Sequence, residues 1–342
     1  MTLIYFILVL SITIFIHELG HFIFAKKAGI YVYEFCIGMG PRIFKFKRKN
    51  DETEYGIRLF PIGGFCSMAG ESVEIDENVP EDKRLQSKTW LERFLTIAAG
   101  VMFNFIFAFI VLFIVGLING MLNNKPIIKD VSNDSAAFIS GLQSGDVVTK
   151  INGIKISNID RLMLEYQVVY GNNLELEVDR KGETKSITIV PNKVDGNYLY
   201  GFSFDDSIEK GILPAFEYAF TKFASLINQM IVIISYLFTG KLSLSSLSGP
   251  IGIYNIVGQS AQDGLINIIY LIGYLSINVG FINLLPIPAF DGGRILFLLI
   301  EKIRRKPVKA NVENTIHAVG MVLLMILMVV ITYNDIIRFI IK

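Results

Sequence analysis

From Leu3 to Ala25 the chain is one apolar run whose only ionisable side chains are His17, Glu18 and His21, clustered in "FIHELGHFIF". A helix needs about 20 apolar residues to cross a bilayer, so this run reads as a membrane span. It is too long, and too polar at its centre, for a cleaved leader, and no small-residue cleavage site follows it. Phe94–Met121, Ile266–Ile300 and Ile316–Ile341 read as three further spans. A hydrophobic content of 52% and a mean hydropathy of +0.50 agree with that reading. The expected fold is a polytopic α-helical membrane protein of about four spans.

The net charge of +1 gives no argument for a nucleic-acid partner. Its distribution carries more: the stretches at 26–27, 41–50, 83–84 and 301–309 are basic. By the positive-inside rule these face the cytoplasm, which puts the N-terminus, the segment between the second and third spans, and the C-terminus outside. Cys36 and Cys66 lack metal-type spacing and read as reduced, structural thiols.

Residues 29–71 alternate aromatic and β-branched positions broken by Gly and Pro, which predicts short strands and hairpins lying against or dipping into the membrane beside the first span. Residues 72–93 form a charged connection, with Trp90 at a membrane interface. From Leu122 to Asp206 the composition is that of a soluble α+β domain. There "PIIKDV", "DVVTKING", "LELEVDR" and "KSITIV" read as strands and "NIDRLMLEYQVV" as a helix. Residues 212–240 suit an amphipathic, interfacial helix as well as a fifth span. "SLSGPIGIYNIVG" at 246–258 reads as a Gly/Pro-rich elbow.

"HELGH" matches H-E-x-x-H. Residues four apart share a helix face, so His17 and His21 can offer ring nitrogens to one ion, with Glu18 beside them as proton acceptor. Imidazole suits zinc, and catalytic zinc sites usually carry three protein ligands. Ionisable groups at membrane depth cost about 2.5 kcal/mol or more and mark function. The third ligand must lie at the same depth, and the third span offers Asp291, where Pro286, Pro288, Gly292 and Gly293 break the helix. Irregular backbone there is tolerated only inside protein or along a wet cavity. The alternative for Asp291 is an ordinary N-cap before "GGRILFLLI". His317 reads as an interfacial structural residue, Glu301 as marking the membrane exit, and Met321, Met325 and Met328 as lipid-facing or packing residues.

Two further stretches complete a resemblance. "NLLPIPAFDGG" in a later span and a PDZ-like "SAAFISGLQSGDVVTKING" (135–153) between the two membrane halves make the chain similar, end to end, to the bacterial site-2 protease family. Within it the chain resembles regulator-of-sigma-E-type intramembrane zinc metalloproteases with one PDZ domain. The resemblance implies Zn2+ held by His17, His21 and Asp291, with Glu18 as acid/base and Asn283 contacting substrate or the developing oxyanion. It also implies a membrane-associated β-loop at 61–71. "AAGVMFNFIFA" (98–108) is similar to the family's second span, with Val101 where proline is frequent, and Phe290 replaces the usual leucine.

The implied layout is a protease core at 1–121 and 266–342, a PDZ domain at 122–206 and an interfacial segment at 207–265. The implied partners are the lipid bilayer, transmembrane proteins or peptides as substrates (anti-sigma factors or signal-peptide remnants), and peptide C-termini at the PDZ domain. The expected location is the bacterial cell membrane, multi-pass, with the PDZ domain extracytoplasmic. A zinc-dependent transporter would account for intramembrane ligands but not for the adjacent Glu18, and a membrane-anchored PDZ scaffold would account only for residues 122–206.

Overall fold

The first apolar run has no proline to break its hydrogen-bond ladder, and it forms one helix, α1 (Thr2–Lys27). Lys26 and Lys27 close its last turn, where cations complement the helix dipole. At 1.5 Å per residue, 26 residues reach about 39 Å, enough to cross a bilayer. The structure is a computed structural model that describes residues 1–49, 51–71, 78–122, 125–194, 196–308 and 310–341. Part of the charged connection, residues 72–77, lies outside the described residues.

After α1 come β1 (Val32–Lys47) and β2 (Glu54–Met68), then α2 (Trp90–Asn119). A capping box starts α2. Thr89 N–H and Oγ1 donate to Glu92 at 2.9 and 2.7 Å, and Glu92 N–H donates to Thr89 Oγ1 at 3.3 Å. The middle of the chain holds β3 (Met121–Leu122), β4 (Ile128–Val131), α3 (Ala136–Ile139), β5 (Val147–Ile151), β6 (Ile154–Lys155) and α4 (Ile159–Val169). It continues with β7 (Leu174–Arg180), β8 (Glu183–Ile189), β9 (Asn192–Val194), β10 (Asn197–Leu199), β11 (Phe202–Phe204), β12 (Ile208–Glu209) and α5 (Ile212–Phe238). The C-terminal part is helical: α6 (Pro250–Gln262), α7 (Leu265–Leu284), α8 (Asp291–Arg304) and α9 (Ala310–Ile336). The chain divides into two compact units, residues 1–112 with 243–342, and residues 113–242.

In the first unit, side chains from α1, β1, β2, α2 and α8 close one apolar core that includes Ala25, Val32, Met68, Ile97 and Leu298. Val9, Val257, Ile268 and Leu271 close a second, where α1, α6 and α7 meet. The expected short strands and hairpins at 29–71 are the paired stretches of the β1–β2 hairpin: residues 34–37 pair both with 64–67 and with 54–57, and residues 44–47 pair with 54–57. Gly38, Gly40 and Pro41 fall between the paired stretches of β1, and Pro61 and Gly63 between those of β2, so Gly and Pro mark where the strands bend. A correction concerns 246–258: much of the expected elbow is the start of α6. Pro250 sits in its first turn, where its missing N–H costs nothing, and the buried carboxylate of Asp335 accepts from Gly252 N–H at 2.8 Å.

The third apolar run is two helices. Pro286 pushes the preceding Leu285 out of the helical region, to φ −61°, ψ 140°, and α7 stops there. Helix α8 restarts at Asp291 with its first turn against the end of α7. A Cβ on Gly292 would lie 2.2 Å from Leu285 O and 2.3 Å from Leu284 O, so only glycine fits. Among the described residues, five helices are long and apolar enough to cross a membrane: α1, α2, α5, α7 and the stretch Val312–Phe339 that includes most of α9.

The second unit is built on an antiparallel sheet of order β6-β5-β7-β8, covering the four stretches read as strands except that "PIIKDV" gives β4, which pairs with β11. Its core includes Ile128, Val148, Leu162, Leu176 and Ile189. Asn158 caps α4 by accepting from Arg161 N–H. Helix α5 lies along α4 through polar contacts: Lys222 with Asp160, and Tyr236, which donates to the buried Glu165 at 2.7 Å.

A bidentate ion pair locks the sheet to the turn before β5: Arg180 Nε and Nη2 each lie 2.7 Å from the buried Asp146, which also accepts from Gln143 N–H. Burial pushes the Asp146 carboxyl up, but the Arg180 and Gln143 bonds outweigh it and hold the group below the ordinary carboxylate range. Its contribution is therefore complete above that range and is lost as pH falls through the depressed value. Asp146→Asn, which leaves Arg180 without its charge partner, is expected to destabilise this unit by about 3 kcal/mol at neutral pH. Faster amide hydrogen exchange in β5 and β7 of the full chain would register this; unchanged exchange would show that the pair is dispensable.

Candidate metal centre

On α1, the four-residue spacing puts His17 and His21 on one face, both buried. Their Nε2 atoms stand 3.2 Å apart. The break after α7 brings Asp291 Oδ2 to 3.1 Å from His17 Nε2 and 3.2 Å from His21 Nε2. Asp291 does not cap α8: the N-cap is Phe290, and no side chain bonds there.

These three side chains form a group able to hold one metal ion. Zinc bonds of about 2.0–2.1 Å place neighbouring ligand atoms of a tetrahedron roughly 3.3 Å apart. The separations here are 3.1, 3.2 and 3.2 Å, close to one face of such a tetrahedron. Asp291 Oδ2 is buried without a hydrogen-bond partner among the described residues, which fits an atom directed at an ion. The donor set of two imidazoles and a carboxylate is the right chemistry for zinc.

Helix α2 makes room for the rings. A Cβ on Gly100 would fall 2.3 Å from His21 Nε2, and one on Gly20 would fall 2.3 Å from Ala99 O. Bare backbone on each helix lets α1 and α2 approach closely enough for α2 to reach behind both imidazoles. Thr96 O lies 2.9 Å from His21 Nδ1, so that nitrogen donates and Nε2 keeps its lone pair for the metal. Asn104, fully buried, has its side-chain amide 3.3 Å from His17 Nδ1, and its Oδ1 is unpartnered among the described residues. A half-turn of that amide exchanges its nitrogen and oxygen, and Oδ1 then accepts from His17 Nδ1–H. Each histidine thus has one partner behind it that directs Nε2 toward Asp291.

Glu18, half-buried, faces the hairpin. Its Oε2 accepts from the backbone N–H of Cys66 at 3.1 Å, and a Cβ on Gly64 would lie 2.9 Å from its Cγ. A cavity of about 210 Å³ is lined by His17, Glu18, His21, Asn283 and Asp291. All five residues singled out in the sequence therefore border one space. Both cysteines are free and buried, as expected. Glu301, read as a membrane exit, pairs with Arg93 at 2.8 Å, and Arg294 pairs with Glu71 at 2.7 Å beside the cavity. Sequence reasoning missed Thr96, Asn104 and Cys66. Of these only Asn104 left a side-chain signal, a lone amide inside an apolar span.

Peptidase family M50 matches residues 5–327. The zinc metalloprotease RasP of Shouchella clausii is 33% identical over 418 aligned positions, covering 98% of each chain. The regulator of sigma-W protease RasP of Bacillus subtilis is 33% identical over 417, again covering 98% of each. A protein of Clostridium perfringens is 37% identical over 340, covering 98% of this chain and 99% of its own.

Asn104→Leu removes the acceptor behind His17 without touching any of the three candidate ligands. Zinc affinity, measured by chelator competition, is expected to fall about 10- to 100-fold. An unchanged affinity would mean that the Asn104 amide has no hold on the imidazole.

Proposed function

Because the chain belongs to peptidase family M50, we propose that His17, His21 and Asp291 hold its zinc and that Glu18 is its acid/base. The protein is an intramembrane zinc metalloprotease of the site-2 type, working in regulated intramembrane proteolysis. The observation that carries the site assignment is the convergence of the two Nε2 atoms and Asp291 Oδ2 beside the Glu18 carboxylate.

Zinc bound there supplies Lewis acidity, polarising a peptide carbonyl and activating water. Glu18 takes a proton from the attacking water and returns it to the departing amine as the C–N bond breaks, leaving the water oxygen in the new carboxyl group. The Cys66 N–H orients Glu18 for both transfers. Asn283, on the cavity wall, offers its amide to the carbonyl oxygen as charge develops on it. A peptide bond inside a transmembrane helix is shielded by its own hydrogen bonds, so the substrate segment must unwind first. Among the described residues, 64–68 of β2 pair on one side only, with 32–37 of β1, and this stretch runs past Glu18. An extended segment added to its other edge regains backbone partners beside the site.

Residues 122–206 are the PDZ domain in this reading, supported by the "GLQSGD" turn, the four-stranded sheet and α4. It lies outside the cell membrane and binds peptide C-termini or excludes substrates with bulky outer domains. Substrates are membrane proteins such as anti-sigma factors, in line with the name of the Bacillus subtilis relative. Four spans cross the bilayer, and α5 lies along the domain. In support, Lys222 and Tyr236, 14 residues and about 21 Å apart along α5, both bond to α4. A helix tied at both places to a water-soluble domain is not free to cross hydrocarbon.

Two outcomes test this account. Glu18→Gln is expected to slow cleavage of a reconstituted single-span substrate at least about 100-fold while zinc content stays at one per chain. Substantial turnover by that variant removes Glu18 from the mechanism. Cysteines introduced at Asn172 and Lys306 should label from opposite faces of the membrane. Labelling from the same face would make α5 a fifth span.

A further inference from the structure

The loop that delivers Asp291 contains a strained residue. Ala289 has φ +85°, a conformation in which an L side chain crowds its own backbone, and it precedes Asp291 by two residues. Such a residue persists only where its surroundings hold it. Within the loop, Ile287 N–H donates to Leu285 O and Phe290 N–H to Ile287 O. The Ala289 N–H points the other way and donates to Nδ1 of His317 on α9 at 3.0 Å.

Three features of α9 make this contact a designed seat. The His317 ring packs against Phe297 of α8, with centroids 5.6 Å apart. One turn later, a Cβ on Gly320 would lie 2.4 Å from Pro288 Cβ and 2.7 Å from Pro288 O, so α9 presses bare backbone against the residue preceding Ala289. Accepting at Nδ1 also fixes the ring as the neutral tautomer with its proton on Nε2, since a protonated ring has no lone pair to offer. That Nε2 is buried without a partner among the described residues. The ring thus forgoes a hydrogen bond on one side while holding Ala289 on the other.

We propose that His317 is a positioning residue of the metal centre: by accepting from Ala289 N–H it holds the strained turn that aims Asp291 at His17 and His21. This goes beyond the interfacial role its place in the sequence suggests, and it rests on the assignment of Asp291 as a ligand.

The test is zinc affinity of the purified full chain, measured by chelator competition, with thermal unfolding in parallel. His317→Leu is expected to weaken zinc binding about tenfold in a protein that remains folded. His317→Asn, whose Oδ1 can accept where Nδ1 did, should recover most of the loss. Glycine adopts positive φ without strain, so in the Ala289→Gly background the same His317→Leu change should cost less than about threefold. Native zinc affinity in folded His317→Leu would overturn the proposal, as would an equal loss in both backgrounds. Asp291→Asn separates the two readings. If it leaves zinc bound at native affinity, the ligand assignment fails; if it releases zinc while His317→Leu does not, only the role of His317 fails.

Discussion

The proposed metal site depends on bringing two imidazoles and one carboxylate to a common point from helices whose axes ordinarily stay 8–10 Å apart. Two departures from regular helix structure make this possible. Gly20 and Gly100 remove side chains where α1 and α2 meet, so the Thr96 carbonyl and the Asn104 amide reach behind the histidines. Pro286 ends α7, and Gly292 lets α8 restart against it, so Asp291 arrives on a first helical turn instead of a side wall. Without the close approach the imidazoles would have no fixed tautomer; without the break the carboxylate would be out of reach.

The supporting shell follows from the cost of unpaired polar groups away from water. A histidine in hydrocarbon needs a partner on each nitrogen. If zinc takes Nε2 of each, the protein must supply an acceptor for each Nδ1–H. It does so with one backbone carbonyl and one side-chain amide of α2, two turns apart. The substitutions against the family pattern stay clear of these contacts: Val101 is buried in packing, and Phe290 supplies only an extended backbone at the α8 N-cap.

How much of this was legible in the sequence depends on where each signal resided. "HELGH" carried its own geometry, because a four-residue spacing fixes a shared helix face. The break that carries Asp291 was legible because prolines and glycines interrupt an apolar run there. The strands of the 113–242 unit followed from alternation and turn residues. The short strands and hairpins at 29–71 were legible because Gly38, Gly40 and Gly63 mark the bends between paired stretches, but the double pairing of residues 34–37 was not, since it joins segments distant in sequence. Pro250 misled, because proline suits the first turn of a helix as well as a loop. The contacts of Thr96 and Cys66 with the site are made by backbone atoms of residues 75 and 48 positions away in sequence, and no side-chain pattern could report them. His317 was visible as a residue but not as a contact, since its partner is a backbone N–H.

The hairpin adds a last constraint that joins substrate binding to chemistry. The same strand, β2, supplies the N–H that orients Glu18 and, in the proposed mechanism, the edge on which an unwound substrate lies. Gly64 lets the strand ride directly over the Glu18 side chain, so even a small outward shift of β2 would lengthen the bond from Cys66. A segment that stays helical cannot pair with the edge, and wedging it into the cavity would push β2 away from Glu18 and loosen the proposed acid/base. A segment that extends adds to β2 without displacing it. In the proposed mechanism, extended segments are therefore favoured over helical ones twice, once through backbone pairing and once through the orientation of Glu18, and the second effect acts on the rate of bond cleavage itself.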